Sequence, residues 1–138
     1  RKHLHDKIAA GAEFIVTQFF LDNTHFLRWR DKLREEGANV PLVAGILPPS
    51  NWKATNQMSE MCGVCIPEDL AEALLKHEND PEASKEIGLT HVEKQIEALL
   101  SEGVEGVHLY ALNSLETVKR LGPKLRDAAG TSSARSVD

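Results

Sequence analysis

Two polar side chains in this sequence stand where a ligand could reach them. Gln18 lies near the end of the apolar run Phe14-Ile15-Val16-Thr17-Gln18-Phe19-Phe20, and Tyr110 closes the run Val104-Glu105-Gly106-Val107-His108-Leu109-Tyr110. An amide in an apolar strand end must find a partner, either a ligand edge or the backbone of a neighbouring loop. A tyrosine can stack on a flat ring and donate its hydroxyl, or it can simply pack with the hydroxyl in water. Gly45, inside Val43-Ala44-Gly45-Ile46-Leu47-Pro48, would let a ligand approach the backbone; a plain strand-end turn explains it as well. Neither an amide nor a phenol transfers protons readily at neutral pH, so the chemistry these residues suit is positioning.

Other constellations carry less. Cys62-Gly63-Val64-Cys65 is a CxxC with no second pair and no His at ligand spacing, so a structural role is the simpler reading. His3 and His5 fall on different faces of a helix and are poor joint metal ligands. His25, His77 and His91 sit in helical stretches where solvation explains them. No P-loop, GxGxxG or nucleophile motif is present.

The elements that must position these residues alternate. A short amphipathic helix, 1–10, carries Leu4 and Ile8 on one face and stops at Gly11. Three apolar strands are expected over 14–20, 40–47 and 104–110, each reading as buried on both faces like strands of a parallel sheet. Between the first two, Asp22-Asn23-Thr24 caps a helix to about residue 36, with Phe26, Trp29 and Leu33 on one side. Between the second and third, helices are expected from Ser50 or Asn51, from Pro67, and from Pro81 to Gly103. The last carries Val92, Ile96, Leu99 and Leu100 as its stripe. Ser114 caps a final helix, which Pro123 should shorten or kink. The polar residues 128–138 read as a disordered tail after a single unit over 1–127.

This βα order means a parallel sheet. Three strands cannot close a (β/α)₈ TIM barrel, which needs about 250 residues. Both outer strands would present open edges, so a larger chain, another copy or a partner should cover them. The chain does not begin with Met and opens inside a helix, which reads as part of a longer chain, although processing would also explain it. Net charge is -5 with both signs interspersed, which points away from nucleic acid. No apolar run nears the ~20 residues of a membrane span. With two Cys, a reducing cytoplasm is the expected setting.

The motifs become specific together. Ala10-Gly11-Ala12-Glu13-Phe14-Ile15-Val16-Thr17-Gln18-Phe19-Phe20, then Val43-Ala44-Gly45-Ile46-Leu47-Pro48, then His108-Leu109-Tyr110-Ala111-Leu112-Asn113 resemble the methylenetetrahydrofolate reductase family, in that family's order. Cys62–Pro67, Asp80-Pro81-Glu82, Ile87-Gly88 and Leu99–Val104 extend the likeness over about residues 4–122. It implies a (β/α)₈ barrel with FAD in its mouth, of which this chain is the last three strands and their helices. The family passes a hydride from NAD(P)H to flavin and then to methylenetetrahydrofolate. On that resemblance Gln18 meets the pterin and the nicotinamide in turn, Tyr110 lies at the folate site, and Met58 replaces a Phe that folds against the nicotinamide. Lys7 would help hold the flavin phosphates, and His3 stands where an Asn contacts the flavin.

The sequence also departs from the family. Ala54 replaces a folate-contacting Gln, Ser114 a folate-contacting Arg, and Asp6 a flavin-contacting Arg. The family's general-acid Glu and the Asp near the flavin belong to the first half of the barrel, so no catalytic residue is expected in this segment. Two readings follow: a segment of a reductase, or a non-catalytic half-barrel that binds and completes another chain. A third is a barrel-derived relative with a different ligand, which Ala54 and Ser114 would permit.

Overall fold

The structure, a computed structural model, describes residues 2–133, with side chains over 3–126. Its elements run α1 (Lys2–Ala9), β1 (Ile15–Phe19), α2 (Asn23–Glu35), β2 (Leu42–Ile46), α3 (Trp52–Cys62), α4 (Glu68–Lys76), α5 (Pro81–Ser101), β3 (Gly106–Leu109) and α6 (Leu115–Ser133). The three strands form one parallel sheet in the order β1-β2-β3. Each expected strand is present and is trimmed at one or both ends. The architecture is therefore α/β, a parallel three-stranded sheet with flanking helices.

The strands are not buried alike. β2 is central, and Leu42, Ala44 and Ile46 lie in the core with no exposure. Ile15, Val107 and Leu109 pack into the same core, together with Phe26 and Leu33 of α2, Leu89, Val92, Ile96 and Leu99 of α5, and Leu121 of α6. On the other face Val16, Gln18 and His108 are exposed. Helices therefore cover one side of the sheet and leave the other open. The alternation in β1 is that of a half-covered edge strand.

Local chemistry sets the boundaries. Asp22 accepts from Thr24 N, Asn51 from Ala54 N, Asp80 from Ala83 N and Ser114 from Thr117 N, so each side-chain oxygen satisfies a free donor at a helix start. Asn51, rather than Ser50, caps α3. In α5 the buried positions Gly88, Val92, Gln95, Ile96 and Leu99 follow helical spacing. Gly88 must be glycine, since a Cβ there would lie 1.7 Å from the Pro49 carbonyl oxygen. That contact seats α5 directly against the chain leaving β2.

Of the two effects expected of Pro123, shortening does not occur: α6 continues to Ser133. Proline's ring crowds the Cβ of the residue before it, and Gly122 has none, so the helix passes through. Residues 128–133, expected to be disordered, are accordingly helical, while 134–138 lie outside the described residues. Among the described residues, no helix is long and apolar enough to cross a membrane.

Candidate functional site

Because the strands are parallel, their carboxyl ends share one rim, and side chains distant in sequence meet there. Tyr110 N donates to Ile46 O at 2.8 Å, which fixes the residue just beyond β3. Its side chain falls on the open face with His108, whose ring meets the Tyr110 ring edge-on at 4.6 Å. From there the Tyr110 hydroxyl reaches across β2 and donates to Thr17 O at 3.2 Å. Thr17 precedes Gln18, so Gln18 and Tyr110 lie at the same rim of the sheet.

Gln18 is exposed, and its Nε2 donates to Cys62 O at 3.5 Å, at the C-terminal end of α3. That is a long bond, and it leaves the amide oxygen and a second N–H for a ligand. Met58, one turn before Cys62, lines a recess of about 50 Å³ with Phe19, Leu47, Pro48, Thr55 and Leu112. Gln18, Tyr110 and Met58 thus stand around the carboxyl ends of the strands. Lys7 and His3 are exposed on α1, and among the described residues no hydrogen bond links them to these three.

The position of Gly45 has a reason neither expectation anticipated. Its N–H donates to Thr17 Oγ1 at 2.9 Å, and a Cβ there would sit 2.4 Å from Thr17 O. The pairing of β1 with β2 slips between Val16 and Phe19 at this point. Gly45 therefore makes room for the backbone of β1, and this irregularity re-aims Thr17 and Gln18.

The histidines also need revision. His25 is exposed, 3.7 Å from Asp22. His77 is half-buried and bonds Ala73 O at 3.0 Å. His91 is not solvated: its Nε2 bonds Leu21 O at 2.9 Å, so that nitrogen carries the proton. Burial is the largest influence on His91 and lowers its pKa below the ordinary histidine value, against the opposing Leu21 bond. One turn on, Gln95 donates to Phe20 O and to Asn23 Oδ1, and Asn23 donates back to Gln95 O. Together His91 and Gln95 pin the loop after β1 and so fix where Gln18 stands. Sequence reasoning missed them, although a His and a Gln one turn apart along the apolar stripe of α5 were the available signal.

Cys62 and Cys65 are both exposed free thiols. Ser114 Oγ accepts from Thr117 N and Thr117 Oγ1, so it serves the start of α6. Among the described residues no group of three or more His, Cys, Asp or Glu could hold a metal ion.

Residues 1–125 match the family model for methylenetetrahydrofolate reductase. The chain belongs to this family. It is 36% identical over 114 residues to 5,10-methylenetetrahydrofolate reductase of Escherichia coli, covering 83% of this chain and 38% of that protein. It is 34% identical over 124 residues to methylenetetrahydrofolate reductase 1 of Schizosaccharomyces pombe, covering 90% and 21%. With methylenetetrahydrofolate reductase (NADH) 1 of Arabidopsis thaliana it shares 38% identity over 111 residues, covering 80% and 19%. The chain thus spans between a fifth and two fifths of these relatives. Among solved structures, a Clostridium thermocellum protein described as binding two copies of 5-methyl-5,6,7,8-tetrahydrofolic acid superposes with a TM-score of 0.53 over 93% of this chain and 47% of that one. At 17% identity that likeness speaks for the fold.

Proposed function

We propose that this chain supplies the substrate-positioning wall of a flavin-dependent methylenetetrahydrofolate reductase. The whole protein would reduce 5,10-methylenetetrahydrofolate to 5-methyltetrahydrofolate with NAD(P)H, in the cytoplasm. The observation that carries the reading is the Tyr110–Thr17 bond, which brings Tyr110 and Gln18 to one rim within a family of folate reductases.

The two substrates must occupy one mouth alternately. Gln18 suits both, because an amide can pair with a pterin edge or a carboxamide without changing charge. Tyr110 can lie along a flat ring and exclude water from it. These are positioning roles, and no residue of this chain is assigned a proton-transfer step.

FAD belongs to this reading as the group that carries the hydride. The described residues do not suffice to hold it. Lys7 is one exposed cation with the Asp6 carboxylate beside it, in the last turn of α1, where the helix carbonyls disfavour a phosphate. We therefore assign Lys7 and His3 at most a peripheral contact with the flavin nucleotide. The main flavin contacts, and the acid, would come from strands that complete the barrel. In support, β1 and β3 are both sheet edges, and a groove of about 390 Å³ runs beside β1, lined by Val16, Gln18, Phe20, His25, Phe26 and Trp29.

The test is Gln18→Ala in the full-length protein. Losing about one hydrogen bond to each substrate should slow both half-reactions roughly fivefold to tenfold. Unchanged rates in both would remove Gln18 from the site. One observation favours the second reading, a binding half-barrel without its own catalysis: Ser114 is occupied in capping α6, at a position where the family places a folate-contacting Arg. A flavin spectrum in the purified full-length protein decides against that reading.

A further inference from the structure

The Cys62-Gly63-Val64-Cys65 motif plays no part in the positioning roles above, yet its backbone reaches them. Both thiols are free and exposed, and Met61 beside them is 79% exposed, so this end of α3 faces water. β2 already has a strand on either side, so strands that complete the barrel would join beyond β1 and β3 rather than beside β2. Cys62 O is the partner of Gln18 Nε2, in the one hydrogen bond that the Gln18 side chain makes among the described residues. At 3.5 Å that bond is at its limit, and a shift of roughly a few tenths of an ångström removes it.

The two cysteines are held unequally. Val64 and Ile66, on either side of Cys65, pack against the buried cluster of Leu21, Leu70 and Leu74. Cys65 is thereby tied to the core beneath α4. Cys62 is the last residue of α3, and Gly63 after it has a φ of 66°, in the left-handed region that glycine enters freely. A disulfide holds its two Cα atoms about 4.4–6.8 Å apart and its two Cβ atoms about 3.5–4.5 Å apart. When that span is imposed across Gly63 and Val64, the less anchored end gives way, and Cys62 O moves with it.

We propose that Cys62 and Cys65 form a reversible disulfide modification site that controls whether Gln18 is held in place. As the dithiol, the end of α3 presents Cys62 O to the Gln18 amide. As the disulfide, Cys62 is drawn toward Cys65 and the amide loses its anchor. The oxidant is a low-molecular-weight disulfide. One cysteine thiolate attacks a sulfur of it, the small S–S bond breaks, and a mixed disulfide forms as the first small thiolate leaves. The second cysteine thiolate attacks the protein sulfur of that mixed disulfide and expels the second small thiolate. The protein gives up two electrons and two protons, and the small disulfide becomes two thiols. A reducing thiol pool reverses both steps. The consequence for ligand binding rests on the reading above that Gln18 positions folate.

The experiment equilibrates the full-length protein with oxidised or with reduced glutathione. The tryptic peptide 54–76, which contains both cysteines, should lose two hydrogens in the oxidised sample and regain them in the reduced one, read by mass without added reductant. Titration with 5-methyltetrahydrofolate should then show roughly fivefold to tenfold weaker binding by the oxidised form. Cys65→Ser should bind in both samples as the reduced wild type does. Gln18→Ala should bind weakly in both, with no further loss on oxidation. A peptide that keeps both hydrogens, or that takes up glutathione without closing the bridge, would overturn the disulfide site. Equal folate affinity of the two wild-type forms would overturn the control of Gln18, and so would a further loss on oxidation of Gln18→Ala. If the reduced wild type does not bind folate, the reading of the mouth fails and its control with it, while the peptide mass still decides the disulfide.

Discussion

At the residue scale, the mouth depends on an absent side chain as much as on those present. Gly45 lets β1 come close enough for Thr17 Oγ1 to accept from its N–H, and Thr17 O in turn receives the Tyr110 hydroxyl. A methyl at Gly45 would collide with Thr17 O. Gly45→Ala should therefore destabilise the fold by about 1–3 kcal/mol, the usual range for overpacking. On the proposed function it should also weaken folate binding by the full-length protein, because Thr17 and Gln18 move with the β1 backbone. Urea unfolding and a folate titration check both effects; full stability in the alanine variant would mean that β1 does not make this approach.

His91 gives the residue scale a pH signature. Burial lowers its pKa in the folded protein, so the unfolded chain takes up the proton first. Its contribution is intact above the ordinary histidine pKa of 6.5 and is lost as pH falls through the lower, folded value. The groups that act on it are Asp69, Asp22 and Lys94, and their fields are secondary to burial. Glu86 and Glu93 also have lowered pKa values, chiefly through hydrogen bonds from Arg120, and their loss begins only below about 4.5. The wild-type melting temperature should thus begin to fall as pH drops below about 6.5. In His91→Gln, which keeps a donor near Leu21 O, that decline should be smaller. Parallel pH profiles for the two proteins would show that His91 does not titrate on unfolding.

At the element scale, α5 does most of the positioning. Its apolar stripe fills the core under β2, Gln95 and His91 hold the loop after β1, and Gly88 receives the Pro49 carbonyl. α6 is joined to it by an ionic layer. Arg120 bridges Glu86 and Glu93, Lys124 pairs with Glu97, and Lys85 with Glu116. Such exposed pairs add little individually and weaken with salt; they set which way α6 lies over α5. Pro123 is the flaw in α6, removing one helical donor from its interior. Proline costs about 3 kcal/mol against alanine there, offset by ~1 kcal/mol of unfolded-chain entropy. Pro123→Ala should accordingly raise stability by about 2 kcal/mol, read from chemical denaturation. No gain would indicate that the helix already bends around the proline at no cost.

At the scale of the whole molecule, the sheet is finished on one side only. Helices bury one face, while the other face and both edges stay open among the described residues. A closed barrel would turn that open face inward, which is where the family's chemistry belongs.

The sequence by itself determined the elements, their order and the family. Apolar runs and helical stripes are local, and the linked motifs around Gln18, Gly45 and Tyr110 are specific enough in their order. Cap residues at Asp22 and Ser114 were legible for the same reason, since a cap acts within three residues. Only the tertiary structure decided which partner each polar group takes. Gln18 bonds a carbonyl 44 residues away, His91 one 70 residues away, and Tyr110 one 93 residues away. Those pairings depend on how strands and helices stack, and so does the purpose of Gly45. Periodicity records which face of an element is apolar. It does not record which distant atom lies opposite a given polar side chain, because that distance is fixed by packing across the sheet rather than along the chain.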